Sequence, residues 1–394
     1  MKGYLFISNS TKPSEIENSS LDDVSLSYVS KLPLECALEN GFKLYAGVNR
    51  KYADQLKCIY GYDIQFYDQH TYRSIFAIRD NWTAFKNLRS LLKTHPDIEV
   101  IHCNTPIGGV IGRICGKLYG IKTIIYTAHG FHFYKGAPLF NRTIIKWVER
   151  FLAHWTDAIL TMNQEDFDSA SMFHLRNKGK VYYVPGVGVD TNSFASVHVD
   201  RQAIRDSIGV PCDAIMAIAM GDIVPRKNYR TAILAIAKAN RPKLHYIICG
   251  KGTQIDELKE LAMSLGIENQ IHFLGYRTDI KQLALSSDLF LFSSLQEGLP
   301  RSTMEAMSAG LPCVISAIRG HVDLIENENG GLLCPVNDVE AFSQALQKMV
   351  DEPTFRMKQG DIARERIKQF DVAVVKQRLR EIYSDILNKS NEAV

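Results

Sequence analysis

Two carboxylates that follow an apolar run are the strongest chemical signal in this sequence. Glu297 and Glu305 stand eight residues apart, behind Asp288-Leu289-Phe290-Leu291-Phe292 and on either side of Gly298-Leu299-Pro300-Arg301. The pattern predicts a buried strand, a tight acidic loop and a helix that starts near Pro300, because proline suits the first helical position. The free N–H groups and positive dipole end of such a helix can hold a phosphate. Glu297 in the loop and Glu305 in the second helical turn would then contact different parts of one ligand.

Two basic residues follow a different predicted strand. Arg226 and Lys227 come shortly after Ile215–Met220, and open α/β folds bind ligands at the carboxyl ends of their strands. We expect Lys227 to neutralise a diphosphate there and Arg226 to offer it a bidentate contact. The alternative is that both side chains only cap a solvated helix.

Two glycines and a histidine also come after predicted strands. Gly250 and Gly252 follow Leu244–Cys249, where they either let backbone approach a ligand closely or form an ordinary tight turn. His129 follows Thr123–Thr127 and would project into a ligand cleft, although a single histidine at a strand end is more often structural than catalytic.

The segments around these residues closely resemble the donor half of family 4 glycosyltransferases, in which paired glutamates form the E-x7-E motif. The resemblance extends from about Thr123 to about Asp338 and rests on Met220–Asn228, Ile248–Gly252, Ile271–Tyr276, Gly310–Ser316, Gly320–Ile325 and Gly330–Pro335. It implies a transferase that moves a hexose or N-acetylhexosamine from a nucleotide sugar to a glycan acceptor in bacterial surface polysaccharide synthesis. The resemblance to this family also suggests a UDP-linked donor and an acceptor linked to polyprenyl diphosphate.

The resemblance also implies donor-binding roles. Glu305 would hold the ribose hydroxyls by charge-assisted hydrogen bonds, and Glu297 would contact hydroxyls of the transferred sugar. His129 matches a family position near the donor sugar. The remaining donor-binding candidates border the base or form the helix start: Phe273, Leu274, Gly275, Gly298, Leu299, Pro300 and Arg301.

Two positions depart from the family pattern. Asp222 stands where the family has an arginine directly after the glycine, and because a carboxylate cannot bind phosphate, we assign that role to Arg226. The glycine-rich loop that many relatives carry after the first strand is replaced by Ser8-Asn9-Ser10-Thr11-Lys12. The acceptor geometry near that loop is therefore open.

The family mechanism is transfer with retention of anomeric configuration. The nucleoside diphosphate leaves from the face that the acceptor enters, and its phosphate oxygen takes the acceptor proton, so neither a protein nucleophile nor a metal ion is required. Arg226, Lys227 and the helix start at Gly298–Arg301 would stabilise the departing charge. Asp166-Phe167-Asp168 resembles the D-x-D of metal-dependent transferases, but it follows Asn163 at a predicted helix start, where acidic residues are expected anyway.

Short apolar runs alternate with amphipathic helical stretches along the whole chain, which predicts an α/β fold with parallel sheets. The predicted strands are Tyr4–Ile7, Lys43–Gly47, Ile98–Cys103, Thr123–Thr127, Ala158–Thr161, Val181–Val184, Ile215–Met220, Leu244–Cys249, Ile271–Leu274, Leu289–Phe292, Pro312–Ile315 and Gly331–Leu333. A length of 394 residues suggests two domains, at roughly 100–200 residues each.

The resemblance implies the GT-B architecture, in which two doubly wound Rossmann-like domains face each other across a cleft and the last helix crosses back to the first. We expect an acceptor-binding domain over residues 1–195 with the helix 371–390, and a donor-binding domain over 196–370.

Composition narrows the class of protein further. A net charge of +3 is too small to indicate a nucleic-acid partner, and Met1–Ile7 reads as a first strand and not as a secretory signal. No run reaches the ~18 apolar residues that span a bilayer. The eight cysteines form no C-x-x-C pair, which favours reduced thiols in a cytoplasmic protein.

The stretch 138–151 predicts a helix with Arg142, Lys146 and Arg150 four residues apart, beside a strongly apolar face. Together with Lys135, this helix could rest on the anionic inner leaflet of a membrane and receive a polyprenyl-linked sugar. An equally good alternative is a crossover helix packed on the sheet with a solvated basic side.

Two other functions stay open. A UDP-sugar epimerase or hydrolase of the same fold would convert the donor without any acceptor. A non-catalytic subunit would bind the donor and activate a partner transferase, as Asp222 and the unusual first loop would allow. The set of Lys227, Glu297, Glu305 and His129 favours an active transferase.

Overall fold

The computed structural model describes residues 1–8, 24, 26–50, 53–72, 74 and 76–392. The chain divides into two compact units, the first drawn from Met1–Val187 and Ala373–Val394 and the second from Gly188–Val372. The boundaries after residues 195 and 370 stay predictions of where the domains end. Most of the unusual loop after the first strand, Asn9 to Lys12, lies outside the described residues.

In its described residues the first unit forms a seven-stranded parallel sheet of order β3-β2-β1-β4-β5-β6-β7. Its strands are β1 (Gly3–Ile7), β2 (Lys43–Val48), β3 (Ile64–Asp68), β4 (Ile98–Cys103), β5 (Thr123–Ala128), β6 (Ala158–Thr161) and β7 (Lys180–Tyr183). Its helices, up to the crossing into the second unit, are α1 (Tyr28–Glu39), α2 (Ile78–Thr94), α3 (Pro106–Leu118), a π-helical turn (Asn141–Ile145) that continues into α4 (Lys146–Ala153), and α5 (Gln164–Ser171). Short 3₁₀ turns cover Ala53–Gln55 and Arg176–Lys178.

Residues 188–372, all of which the structure describes, form a six-stranded parallel sheet of order β10-β9-β8-β11-β12-β13. The strands are β8 (Ile215–Met220), β9 (Leu244–Cys249), β10 (Ile271–Gly275), β11 (Leu289–Phe292), β12 (Cys313–Ser316) and β13 (Gly331–Cys334). The helices are α6 (Asn192–Ala195), α7 (Arg201–Ser207), α8 (Tyr229–Ala239), α9 (Ile255–Ser264), α10 (Ile280–Leu285), α11 (Arg301–Ser308), α12 (His321–Leu324), α13 (Val339–Asp351) and α14 (Pro353–Arg366). Three 3₁₀ turns cover Pro225–Lys227, Glu268–Gln270 and Ile367–Phe370.

The final helix, α15 (Val372–Glu392), returns the chain to the first unit. It presents an apolar stripe whose members are at most 5% exposed: Val375, Leu379, Ile382, Tyr383 and Ile386. The Tyr383 hydroxyl lies 2.6 Å from the Tyr4 hydroxyl and 2.9 Å from His102 Nδ1. On the exposed side, Arg380 forms a bidentate ion pair with Glu39 at 2.7 Å.

Both sheets are doubly wound, because their strand order reverses once. The reversal lies between β1 and β4 in the first sheet and between β8 and β11 in the second. At such a switch point the loops that leave the two neighbouring strands run in opposite directions, which opens a crevice for a ligand. Residues that follow β8 and β11, or β1 and β4, are therefore the first candidates for a site.

All twelve predicted strands exist, and each of their ends agrees with the structure to within one residue. The sequence prediction missed β3, which pairs with β2 at the edge of the sheet that the described residues form. All eight cysteines lie among the described residues and are free, and seven of them are buried. No helix in the described ranges is both long and apolar enough to cross a membrane.

Candidate active site

The loops that leave β8 and β11 meet at the switch point of the second sheet. After β8 the chain makes the 3₁₀ turn Pro225–Lys227, and after β11 it runs through a short loop to α11. Two hydrogen bonds tie these loops together: Leu295 N donates to Arg226 O at 2.8 Å, and Ser293 Oγ donates to Asn228 O at 2.6 Å. The side chains between these bonds are thereby held beside one another.

Lys227 and Glu297 form a buried ion pair in this junction. Lys227 Nζ lies 2.6 Å from Glu297 Oε1, and the two residues are 8% and 9% exposed. Ser294 Oγ donates to the same carboxylate oxygen at 2.8 Å, and the ammonium also lies 4.8 Å from the centre of the Phe292 ring. Buried charges persist only when they are paired and hydrogen-bonded, so this pair fixes the positions of both side chains.

Arg226 stands at the open side of the same pair. Its guanidinium Nη1 is 3.7 Å from Glu297 Oε1, and half of the side chain is exposed. Asp222, in the position where the family has an arginine, is exposed. Arg226 is therefore a cation that a ligand can reach, while the charge of Lys227 lies behind it.

Helix α11 starts one residue later than the sequence suggested. Pro300 has the extended ψ of 118° and acts as the N-cap, so Arg301 is the first helical residue. Glu305 then lies in the second turn, as predicted, and pairs with Arg301 Nε at 2.9 Å. Burial raises the pKa of Glu305 above its ordinary value, although Arg301 acts in the opposite direction.

A third loop, after β12, supports the acidic loop from behind and was not predicted. Arg319 Nε donates to Glu297 O at 3.0 Å. Gly320 has a φ of +81°, and a Cβ atom there would stand 2.3 Å from Gly298 O, so only glycine fits. Since β12 is the neighbour of β11, polar residues just after β12 were detectable candidates for the site.

His321 follows directly in this loop and is fully buried. Its Nδ1–H donates to Ser316 O at 2.8 Å, and Nε2 has no hydrogen-bond partner among the described residues. Burial lowers the pKa of His321 to about 4, with Glu297 acting in the opposite direction. The ring is thus neutral at pH 7, and its centre lies 6.0 Å from the centre of the Phe292 ring.

Gly250 and Gly252 meet the backbone of their own unit. A Cβ atom would stand 1.9 Å from Gly221 O at position 250 and 2.0 Å from Ile223 O at position 252. Gly221 N and Ile223 N donate to the chain after β9, to Cys249 O and Lys251 O, at 2.9 and 2.8 Å. Because these two positions have no Cβ atom, the loop after β8 can pack directly against the loop after β9. Contact of these glycines with a ligand stays a prediction.

The segment expected beside the base belongs to β10 and its end. Phe273, Leu274 and Gly275 are all partly exposed, and Gly275 O accepts a hydrogen bond from Gly250 N at 2.8 Å. The β10 end is therefore joined to the loop after β9, although its role against a nucleotide base stays a prediction.

In the first unit, His129 pairs with a residue that the sequence prediction overlooked. His129 follows β5, and its Nε2 lies 2.9 Å from Oδ1 of Asn104, which follows the adjacent β4 and is 1% exposed. Because Oδ1 can only accept, Nε2 carries the proton and Nδ1 keeps a lone pair. Desolvation lowers the pKa of His129 to about 4, so the ring is neutral at pH 7. Asn104 Nδ2 is buried without a partner among the described residues.

The D-x-D sequence lies at a helix start, as predicted. Asn163 caps α5 by accepting from Asp166 N at 2.9 Å, and its Nδ2 donates back to the Asp166 carboxylate at 2.8 Å. That carboxylate also accepts from Phe131 N at 3.1 Å, in the loop after β5. Within the part of the chain that the structure describes, no group of three or more His, Cys, Asp or Glu residues could hold a metal ion.

Two family models match the sequence: "Glycosyltransferase Family 4" over residues 53–192 and "Glycosyl transferases group 1" over residues 200–366. EpsD of Bacillus subtilis (strain 168), which bears the name of a glycosyltransferase, is 31% identical over 310 residues, or 77% of this chain and 81% of EpsD. The chain belongs to the group 1 glycosyltransferases of family 4. The assignment of Glu297 and Glu305 of this glycosyltransferase to the E-x7-E motif stays a prediction.

A second relative of this glycosyltransferase is the Escherichia coli UDP-Gal:alpha-D-GlcNAc-diphosphoundecaprenol alpha-1,3-galactosyltransferase, 26% identical over 321 residues, or 78% of this chain and 82% of the relative. Two solved structures share the fold. HepE from Anabaena, in complex with UDP-glucose, has a TM-score of 0.73 at 18% identity, with 98% of this chain and 100% of HepE covered. Sucrose-phosphate synthase from Thermosynechococcus elongatus has a TM-score of 0.79 at 17% identity, with the same coverage. The predicted GT-B fold is confirmed.

Proposed function

We propose that this glycosyltransferase moves a hexose or N-acetylhexosamine from a UDP-linked donor to a glycan on polyprenyl diphosphate, with retention, in bacterial surface polysaccharide synthesis. The observation that carries the proposal is the cluster of Arg226, Lys227 and Glu297 at the switch point of the second sheet. The name of the E. coli relative states a UDP-Gal donor and a diphosphoundecaprenol-linked acceptor. HepE has been crystallised with UDP and with UDP-glucose. These relatives support both substrate classes.

The donor diphosphate would meet charges that are already in position. Arg226 offers an accessible guanidinium, and Lys227 adds a second positive charge whose side chain Glu297 and Ser294 hold in place. Because these groups are fixed before the reaction, they stabilise developing charge without reorganising. The N–H groups in the first turn of α11 add to the same field.

The other predicted residues would orient the two sugars. Glu305 would accept hydrogen bonds from the ribose hydroxyls, and Glu297 from hydroxyls of the transferred sugar through the carboxylate oxygen that Lys227 does not contact. His129, neutral at pH 7, would accept a hydrogen bond at Nδ1 from the donor sugar while Asn104 holds its Nε2–H.

The chemical step needs no protein nucleophile. The acceptor hydroxyl oxygen forms a bond to the anomeric carbon on the face from which UDP departs, and the bond between that carbon and the β-phosphate oxygen breaks. The electron pair of the broken bond stays on the phosphate oxygen, which takes the proton of the acceptor hydroxyl. Configuration is retained because entry and departure share one face. We propose that the reaction is independent of metal ions and occurs at the cytoplasmic face of the membrane.

The test measures UDP release and labelled product with a panel of UDP-sugars, with and without polyprenyl diphosphate-linked acceptor from a membrane lipid extract. We expect turnover that depends on acceptor, persists in EDTA and gives a product with the donor's anomeric configuration by NMR coupling constants. Glu297→Gln should lower kcat/KM by about 10²–10³, as loss of one preorganised charge contact does. The matched control is Glu268→Gln. Glu268 is exposed and directly precedes β10, so it lies at the amino ends of the strands and not at the carboxyl ends where the site is.

Other outcomes would replace the proposal. Conversion of the donor without acceptor would identify an epimerase or hydrolase. Tight UDP-sugar binding with no turnover under any condition would identify a donor-binding subunit. A product of inverted configuration would refute the front-face reaction while leaving the transferase class intact.

A further inference from the structure

The helix that continues the π-helical turn carries aromatic side chains on its solvent side. Three of them and one isoleucine, which together we name the α4 stripe, are 46–63% exposed: Phe140, Ile144, Trp147 and Phe151. They recur every three or four residues, so they share one face of the segment 140–151. Leu139, just before the turn, is 74% exposed.

The opposite face of the same helix is buried, and it carries one carboxylate beside the apolar Leu152 and Ala153. Glu149 is 7% exposed and accepts from Arg113 Nη2 at 2.8 Å and from the Tyr126 hydroxyl at 3.2 Å. Arg113 is fully buried, lies 4.0 Å from the centre of the Tyr126 ring and donates to Gly109 O at 2.9 Å. Rotating the helix to hide its aromatic residues would leave Arg113 buried without its counter-ion.

An ordinary surface helix turns its apolar residues inward. Helix α4 does this with Leu152 and Ala153, but its outward side is apolar as well. The crossover-helix alternative of the sequence analysis is consistent with this packing, because Leu152 and Ala153 are buried and Arg150 is exposed. The exposed aromatic face is the feature that this alternative leaves unexplained. Trp147 and Phe151 stack at 5.7 Å, and Phe151 packs against Trp155 at 5.0 Å. The α4 stripe is thus ordered and remains uncovered within its own unit.

The charges beside the α4 stripe are positive. Lys135, Arg142 and Arg150 are exposed, and the single acidic residue in 135–151 is Glu149, which Arg113 neutralises. Aromatic side chains next to arginines suit the boundary of an anionic bilayer, where rings enter the acyl region and guanidiniums bind lipid phosphates. A second copy of this chain would instead bring two cationic rims together.

We propose that the α4 stripe docks this protein on an anionic bilayer, with Phe140 and Trp147 entering the acyl boundary and Arg142 and Arg150 contacting lipid phosphates. This proposal identifies the surface that would hold the enzyme at the membrane. It rests on the proposed function only for the location at a membrane. Vesicle binding and sugar transfer are separate measurements, so either can fail without the other.

The experiment is flotation of the full chain with phosphatidylcholine vesicles that contain 0 or about 30% phosphatidylglycerol, at low and high salt. We expect binding to the anionic vesicles that weakens with salt. The double variant Phe140→Ser/Trp147→Ser should bind at least about tenfold more weakly, since two interfacial rings are lost. Arg142→Gln/Arg150→Gln should lose the preference for phosphatidylglycerol and most of the salt dependence.

Trp82→Ser is the matched control. Trp82 is 59% exposed against 63% for Trp147, and it stacks on Phe85 at 5.5 Å as Trp147 stacks on Phe151 at 5.7 Å. The control should bind like the wild type, and brominated lipid should quench its tryptophan fluorescence, whereas Trp147→Ser should lose most of that quenching.

Four results would overturn the proposal: no vesicle binding, equal binding to neutral vesicles, unchanged binding of the double α4 variant, or a loss of binding in Trp82→Ser alone. Light scattering tests the alternative that a second copy of this chain covers the stripe. A wild-type dimer that becomes a monomer in the double variant would assign the stripe to that second copy. UDP release with a soluble acceptor analogue should be unchanged in the double variant, which separates docking from catalysis.

Discussion

The ammonium of Lys227 lies 2.6 Å from Glu297 Oε1, and both side chains are less than a tenth exposed. The two residues are separated by 70 positions in the chain, yet each follows a strand at the same switch point. The two side chains therefore depend on each other: Glu297 holds the lysine in position, and the lysine stabilises the buried carboxylate. Arg226 is the charge that remains open to a ligand.

Replacing Lys227 by methionine should harm both stability and activity. The variant leaves Glu297 buried with only Ser294 and the half-exposed Arg226 to compensate it, which costs up to about 3 kcal/mol in the free energy of unfolding. Activity should fall by at least about 10², because a fixed positive charge near the diphosphate is gone. Urea unfolding and UDP release measure the two effects. A variant of full activity would refute the assignment of Lys227 to the donor site.

Asn104→Asp should shift the pH dependence of activity. The pKa of His129 is lowered to about 4 by desolvation, so its imidazole is neutral throughout the physiological range. A carboxylate 2.9 Å from Nε2 would favour the imidazolium and raise that pKa. Protonation removes the lone pair at Nδ1, so the acid limb of the kcat/KM profile should move to higher pH. Asn104→Ala supplies no charge and should leave the limb in place, whereas an unshifted Asn104→Asp profile would exclude His129 from the reaction.

Much of the site was predictable residue by residue, because polar residues after strands of an α/β sheet gather at one edge. This argument located Lys227, Arg226, Glu297 and His129. It did not identify partners such as Asn104 or Arg319, since these depend on which strands are neighbours. The order of strands is a property of the folded sheet and cannot be predicted from a short stretch of sequence.

At the scale of elements, continuous apolar runs located the buried strands well. β11 is buried at every residue and reads as Leu289-Phe290-Leu291-Phe292. β3 was missed because Ile64-Gln65-Phe66-Tyr67-Asp68 mixes polar and apolar residues, as suits an edge strand that is only partly covered. The orientation of α4 could not be predicted either, because Arg113, which buries Glu149, lies 36 residues earlier.

Removal of one member of the Arg113–Glu149 pair should destabilise the protein strongly, whereas replacement of both members should destabilise it less. Arg113→Met leaves Glu149 without its counter-ion and Glu149→Leu leaves Arg113 without its own, so each should lose about 3–5 kcal/mol of unfolding free energy. The double variant Arg113→Met/Glu149→Leu removes both charges and should be less destabilised than either single variant. Urea unfolding of the three variants tests this. Additive losses in the double variant would show that the two side chains act independently.

At the scale of the whole molecule, the first unit is completed by the end of the chain. Helix α15 buries five large side chains, and its Tyr383 closes a polar cluster with Tyr4 and His102 in the first sheet. A chain that ends after Asp371 should therefore lose the cooperative unfolding of the first unit while the second keeps its own core. Hydrogen exchange read separately for the two sheets tests this, and full protection of β1 and β4 in the truncated chain would contradict it.

We expect four histidines to make the folded protein sensitive to mild acid. Burial is the largest cause that lowers the pKa of each: His102 to about 3, and His129, His272 and His321 to about 4. The unfolded chain takes up these protons near pH 6.5, and the folded chain only near pH 4 or below. Between these values the unfolded state binds more protons, so stability falls as the pH falls.

We expect the urea midpoint to decrease steadily from pH 7 to pH 4.5. The slope for a fully buried histidine such as His321 is at most about 1.4 kcal/mol per pH unit. Ion-paired carboxylates whose pKa is lowered, such as Glu35 and Glu39, lose their contribution mainly below about pH 4.3. The raised pKa of Glu305 acts in the opposite direction within this interval, so a histidine variant is needed to isolate the contribution of a histidine. His321→Asn keeps a donor for Ser316 O but cannot titrate, and it should start less stable yet fall less steeply. An unchanged slope in that variant would show that His321 does not contribute to acid sensitivity.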